Sequence, residues 1–282
     1  MFSKKIYTLF IGKHFIDPGF VTLGNVPLFD GGDVLPYTSE TLPAILGQVD
    51  GLSRGKKIRV VLGEELVYVT ELQFPARTHI TRELIRESAE ASVPEDLRTT
   101  NWDYQTLRYA RKDQKEGEIS VQVAVIESSF SKVLRDALAA NPLPIECVLP
   151  ESYVLASLER SEGVSVIVER NRDTAVIVAA ENGTVVATSI RMGDELLEEL
   201  RAFMGYVADQ KKKKVTRIIF SHFSAEALSQ YAGLEEAGYE VTQKDYNPLI
   251  GIALQENVFG RDEDVLNIDV FPLAERSWWK LF

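Results

Sequence analysis

The chain has 282 residues, 45% of them hydrophobic and 26% charged, the composition of a folded protein with room for more than one core. Its formal net charge is −11, from 31 basic and 42 acidic residues, which excludes a general role on nucleic acid, because that needs a clustered basic surface. The one cysteine, Cys147, excludes an internal disulfide and a multi-cysteine metal site; its apolar setting reads as a buried, inert thiol, and one free cysteine fits a reducing cytoplasm.

Residues 1–12 carry two lysines and only a short apolar run, so no secretory leader is expected. Strands are expected at 6–11, 19–23 and 27–29, with Gly24-Asn25 as a turn and Gly31-Gly32-Asp33 as a loop. A helix at 41–52 accepts Pro43 in its first turn. Two further strands, 58–62 and 66–74, close at Pro75. The texture then changes. A helix at 81–93, strands at 102–109 and 119–126 around a polar loop, a helix at 130–140 and a strand at 144–149 make a compact α+β unit over 76–149. Residues 150–159 read as a helix returning to the first unit.

Three short strands follow at 164–169, 175–180 and 185–190. The second turn, Glu181-Asn182-Gly183, suits a tight hairpin, because Asn and Gly tolerate positive φ. The first turn, 169–173, reads Glu-Arg-Asn-Arg-Asp and has no glycine. A helix at 194–209 then carries the apolar stripe Leu196, Leu197, Leu200, Phe203, Met204 and Val207. A strand at 215–220, a helix at 224–234 capped by Ser224, a strand at 239–242 and a helix from Asn247-Pro248 to 256 complete this half. The meander of three strands plus a helix thus occurs twice, the pattern of duplicated domains.

That pattern, with an α+β insertion in its first half, resembles the type IV pilus assembly PilM family, the cytoplasmic domain of type II secretion GspL proteins and, more distantly, the cell-division actin homologue FtsA. The likeness is carried by Glu71-Leu72-Gln73-Phe74-Pro75, by 86–94 with Asp103-Tyr104-Gln105, by 123–139 with Val148-Leu149-Pro150-Glu151-Ser152, and by Asn247-Pro248-Leu249-Ile250-Gly251-Ile252-Ala253. It implies an α/β, actin-like (ribonuclease H-like) pair of domains with a reduced second domain. The first would span 1–75 completed by 150–160, the insertion 76–149, the second 161–260, and a linker and tail 261–282.

The sequence departs from the family at all three nucleotide loops. The first, an acidic glycine turn in the family, is Phe10-Ile11-Gly12-Lys13-His14-Phe15 here. The second is the charged turn with Arg170, Asn171 and Asp173, and the third is Ser221-His222-Phe223-Ser224 in place of glycines. Glycine is needed where backbone must approach a phosphate closely. Lys13, Arg170 and Arg172 could still pair with phosphate as point charges, or simply be solvated turn residues. His14, His79 and His222 are too scattered for a metal, and Ser221-His222 lacks a nucleophile-elbow context.

In the tail, 265–272 resembles the docking peptide of the pilus protein PilN, through Leu266, Asn267, Ile268, Phe271 and Pro272. The resemblance implies a groove between the first domain and the insertion, with Leu66, Tyr68, Leu72 and Phe74 as its candidate lining. The other reading is a C-terminal strand covering its own domain. Trp278, Trp279 and Lys280 have the chemistry of a membrane interface, and the run Lys211, Lys212, Lys213 and Lys214 either faces anionic lipid or is an exposed loop.

The expectation is therefore a non-catalytic scaffold at the cytoplasmic face of the inner membrane, without cofactor or metal. It would dock a partner of the PilN or secretion-platform type, or its own tail, with a homo-oligomer left open. The alternative is a working ATPase binding ATP and Mg²⁺.

Overall fold

A computed structural model of the chain describes residues 4–53, 55–107, 118–171, 174–192, 196–255 and 268. The chain divides into two compact units, Met1–Pro150 with Ile252–Phe282, and Glu151–Gly251.

The first unit opens with β1 (Lys4–Ile11), β2 (Phe15–Leu23), β3 (Leu28–Gly31), β4 (Leu35–Pro36), α1 (Leu42–Ser53) and β5 (Ile58–Leu62). It continues through a 3-10 turn, Glu64–Leu66, to β6 (Val67–Pro75), α2 (Arg82–Ala89), β7 (Trp102–Leu107), β8 (Glu118–Ile126), α3 (Ser128–Ala140) and β9 (Ile145–Pro150). The main sheet has the order β3-β2-β1-β5-β9, with β4 paired to the start of β2. β1 runs antiparallel to β2 and parallel to β5, and β5 runs parallel to β9. All five residues of β5 are buried, which suits its continuous run Ile-Arg-Val-Val-Leu.

The insertion between β5 and β9 is a three-stranded antiparallel sheet, β6-β8-β7. β6 therefore belongs to the insertion, not to the first sheet as the sequence reading placed it. It pairs with β8 along its whole length, from Val67 opposite Ile126 to Pro75 opposite Glu118. Alternation identifies a strand but not its partner, and a partner across an intervening helix and strand leaves no local mark. Helix α2 starts at Thr81, whose side chain accepts from the Leu84 N–H at 3.2 Å, and buries Ile85 and Ala89 against Leu72, Phe74, Trp102 and Tyr104.

The second unit comprises α4 (Glu151–Leu158), β10 (Val164–Asn171), β11 (Thr174–Glu181), β12 (Thr184–Met192), α5 (Leu196–Lys211), β13 (Val215–Ser221), α6 (Ala225–Ser229), α7 (Ala232–Glu236), β14 (Glu240–Gln243) and most of α8 (Pro248–Leu254). Its sheet order, β12-β11-β10-β13-β14, repeats that of the first sheet: an antiparallel meander, then two strands parallel to its first member. Val166, Val168, Ile177, Leu200, Phe203, Val207, Ile218 and Phe220 form one core with α5. Asn182 and Gly183 have φ of 51° and 81°, as expected of the tight β11–β12 turn.

Two further expectations are corrected. Helix α4 packs on β11 and β12 rather than returning to the first unit; Val154, Leu155 and Ala156 are fully buried, and a short helix apolar on several sides does not announce which sheet it covers. The helix expected at 224–234 is two short ones. They are separated at Gln230-Tyr231, where the Tyr231 ring turns in to stack on Phe220 at 4.6 Å.

Within the first unit, one buried charge ties residues 252–255 to β5. Arg59, 3% exposed, donates from Nε to Glu146 at 2.6 Å, and its Nη1 reaches the carbonyls of Ile252, Ala253 and Gln255 at 3.0, 3.1 and 2.8 Å. Those are the carbonyls a helix C-terminus leaves unbonded. Arg59→Met should therefore cost about 3 kcal/mol or more in denaturant unfolding, because it removes the buried guanidinium from the Glu146 carboxylate and from three helix-end carbonyls, and the double variant Arg59→Met/Glu146→Leu should recover part of that loss.

Candidate functional site

Three turns lie at the carboxyl ends of parallel strands, where open α/β sheets place ligands. In the first unit, β1 and β2 stay paired to Ile11 and Ile16, leaving a turn of Gly12, Lys13 and His14. Two of its donors are already engaged: the Gly12 N–H bonds the Phe15 carbonyl at 2.9 Å, and the Lys13 N–H bonds Glu65 Oε1 at 2.8 Å. Tyr37 ties the turn down, donating its hydroxyl to the Gly12 carbonyl at 2.6 Å and its N–H to His14 O at 2.9 Å. Burial, then the nearby Glu65 carboxylate, push the Tyr37 hydroxyl well above its usual pKa. A side chain at Gly12 would meet the Phe15 ring at 2.6 Å.

In the second unit, the charged turn is shorter than the sequence reading had it. β10 and β11 stay paired through Glu169–Val176, Arg170–Ala175 and Asn171–Thr174, so Glu169 to Asn171 are strand and only two residues connect the strands. The Arg170 guanidinium lies 5.8 Å from the centre of the Phe223 ring. Asp173 and Arg172 lie outside the described residues.

After β13, His222 takes φ of 60°, the left-handed conformation that glycine adopts most easily. Phe223 turns into the core, edge-on to Phe220 at 5.0 Å and to Tyr231 at 6.0 Å. Ser224 caps α6, its hydroxyl accepting from the Ala227 N–H at 3.1 Å. Ser221 bridges to Tyr246, accepting its N–H at 3.1 Å and lying 3.2 Å from its carbonyl. His222 Nε2 donates to the same carbonyl at 2.8 Å and sits 3.5 Å from Glu169 Oε1.

Two buried carboxylates anchor these loops with opposite electrostatics. Glu169 is 4% exposed, and its Oε2 has no hydrogen-bond partner among the described residues. Burial lifts it to about 7, against the pull of Ser221 and His222 and with a smaller push from Asp245. Burial also works to raise Glu159, but its bonds to Lys244 (2.9 Å), Ser161 and the Tyr246 hydroxyl (2.6 Å) outweigh it and bring it to about 2. Sequence reasoning passes over Glu159 and Tyr37, which carry no spacing signal, and reads the pair Glu64-Glu65 as a solvated acidic face, whereas Glu65 accepts the Lys13 N–H.

The partner-groove residues divide. Leu66 is buried at the 3-10 turn, Leu72 and Phe74 are buried in the core of the insertion, and only Tyr68 is exposed. The inward ones are not available as groove lining, because alternate residues of β6 face α2. From the tail, Ile268 is described: it is 1% exposed, and its N–H donates to the Val148 carbonyl at 3.1 Å. Val148 lies on β9, the edge strand of the main sheet. Leu266, Asn267, Phe271, Pro272, Trp278, Trp279 and Lys280 lie outside the described residues.

The repeated sheet order, one copy carrying an α+β insertion, is matched by solved structures over nearly the whole chain. The PilM–PilN type IV pilus biogenesis complex aligns with a TM-score of 0.63 at 14% identity, covering 92% of this chain and 93% of that one. The fold is actin-like. A Bacteroides thetaiotaomicron protein with an actin-like ATPase fold aligns at 0.55 and 13% identity, over 88% of this chain and 96% of that one. The cytoplasmic domain of EpsL, an inner-membrane component of the Vibrio cholerae type II secretion system, aligns at 0.54 and 13% identity, over 92% and 96%. No protein-family model and no curated protein matches the chain.

The two carboxylates give this actin-like second unit opposite pH limbs. Glu169 is raised in the fold, so its stabilisation is complete below about 4.5 and is lost as pH rises to about 7. Glu159 is lowered, so its contribution is complete above about 4.5 and is lost as pH falls toward about 2. Urea midpoints across pH should show Glu169→Gln flattening the neutral limb and Glu159→Gln flattening the acid limb.

Proposed function

We propose that the chain is a non-catalytic, actin-like docking scaffold of the kind used in pilus or secretion assembly, acting at the cytoplasmic face of a membrane. The observation that carries the docking reading is Ile268: a tail residue, buried, with its backbone bonded to Val148 on β9, the last strand of the described sheet. Adding a strand to a sheet edge is a general way to hold a short peptide, since main-chain bonds give affinity and side-chain pockets give selection. The partner class is a short apolar peptide of the same character as 265–272, supplied by this chain or by a PilN-like protein. The pilus complex and the secretion protein that share the fold support that choice of class.

The turns support the non-catalytic part. A phosphate cradle needs free backbone N–H groups in a small-residue loop. Here one turn gives its N–H groups to Phe15 and Glu65, the second has become ladder, and the third is filled by Phe223. These residues fit a nucleotide poorly. Calorimetry with Mg-ATP should therefore show no saturable heat; saturable binding would establish the ATPase reading instead.

The docking reading is checked with the full chain. Ile268→Asp should free the β9 edge, so that a synthetic peptide covering 264–274 binds the variant at least about tenfold more tightly than the unaltered chain. Absence of detectable peptide binding to the variant at high micromolar concentration would sink the reading.

A further inference from the structure

The amino ends of β1 and β5 lie side by side, because Tyr7 pairs with Ile58 in a parallel ladder. That end of the main sheet gathers Lys4 and Lys5 at the start of one strand and Lys56 and Lys57 just before the other, in a chain whose net charge is −11. The β2–β3 hairpin turns at the same end, since Leu23 pairs with Lys4 and Leu28 with Thr22. Two exposed aliphatic residues stand there, Val26 at 70% exposure and Leu28 at 65%.

The lysine heads are carried on aromatic seats. Lys5 Nζ lies 4.1 Å from the centre of the Phe20 ring, Lys56 Nζ lies 5.6 Å from that of Tyr7, and the two rings are 6.2 Å apart. Tyr7 pairs directly with Phe20, so both cations stand over one face of the sheet. Thr22 pairs with Lys5 and Leu28 with Thr22, which puts Leu28 on that face as well. The result is a protruding apolar tip beside a cluster of cations.

We infer that this end of the first unit is a docking face for an anionic lipid surface, with Val26 and Leu28 entering the headgroup layer and Lys4, Lys5, Lys56 and Lys57 lying against the lipid phosphates. Charge complementarity chooses the occupant. A negatively charged protein is repelled by an anionic bilayer except where cations concentrate, and each basic residue near the surface strengthens partition about fivefold. Exposure favours lipid over an acidic peptide, because Val26 within the β2–β3 turn and Leu28 at its end are apolar and open to solvent. The other basic run is differently used: Lys213 bonds both oxygens of Glu181 at 2.7 and 2.6 Å, with its side chain 11% exposed. The inference deepens the membrane-facing part of the proposed function and is separable from peptide docking, since Ile268→Asp should leave it intact.

The test is cosedimentation of the full chain with vesicles of phosphatidylglycerol and phosphatidylcholine, against phosphatidylcholine alone. Binding is expected to the first only, and lost near about 0.5 M salt. Lys5→Ala/Lys56→Ala should weaken it about 25-fold. Val26→Ser/Leu28→Ser should weaken it about tenfold or more. Lys212→Ala/Lys214→Ala should leave it unchanged. All the altered side chains lie at the surface, and circular dichroism melting confirms that each variant folds. Equal binding to both vesicle types, no binding to either, or an equal loss with Lys212→Ala/Lys214→Ala would overturn the inference. So would capture of poly-glutamate as tightly as vesicles and without dependence on Val26 and Leu28, which would make the face an acidic-peptide site.

Discussion

The structure depends on one repeated constraint: a strand buried on both faces must satisfy its backbone within the sheet. β1 and β10 each lie between an antiparallel neighbour and a parallel one, β2 and β5 in one case, β11 and β13 in the other. Water cannot bond their amides, so both ladders run to the strand ends. That satisfies the core, and it also decides the turns. Where the ladder reaches Asn171 and Thr174, the backbone groups that a longer loop would present outward are used in pairing. Where it reaches Ile11 and Ile16, four residues remain, Gly12 to Phe15, and Glu65 and Tyr37 hold the first three.

The same accounting gives the tail its place. β9 is the outer strand of the first sheet among the described residues, and the outer side of an edge strand carries carbonyls and N–H groups that need water or a partner. Ile268 meets one of those carbonyls, at Val148. Next to it on β9, the Glu146 carboxylate holds Arg59, and Arg59 holds the end of α8. The start of the linker and the docked residue are thus referred to the same two strands, β5 and β9.

Much of the fold was legible in the chain. The duplicated meander followed from alternation and from Asn182-Gly183, and the helix starts at Ser224 and Asn247 followed from their capping side chains. The misreadings have a common origin. β6 was assigned to the wrong sheet, α4 to the wrong unit and Leu72 and Phe74 to a surface, because a strand's or helix's pattern records that it has an apolar face, not which element covers it. The break before α7 was missed for a related reason: Tyr231 fits helical spacing, and only the Phe220 and Phe223 rings make it worth leaving that geometry.

By itself the sequence determined the element types, the repeat, the lack of glycine at the second and third turns and the character of the tail, because each is written in neighbouring residues. The tertiary structure alone decided how those residues are used. It made Glu169 a buried carboxylate lifted to about 7 and Glu159 an ion-paired one near 2, although the two are chemically identical and ten positions apart. It placed Glu65 on the Lys13 N–H and Ile268 on the β9 edge. Burial, charge pairing and edge hydrogen bonds arise between residues far apart in the chain, so they exist only once the sheets have closed.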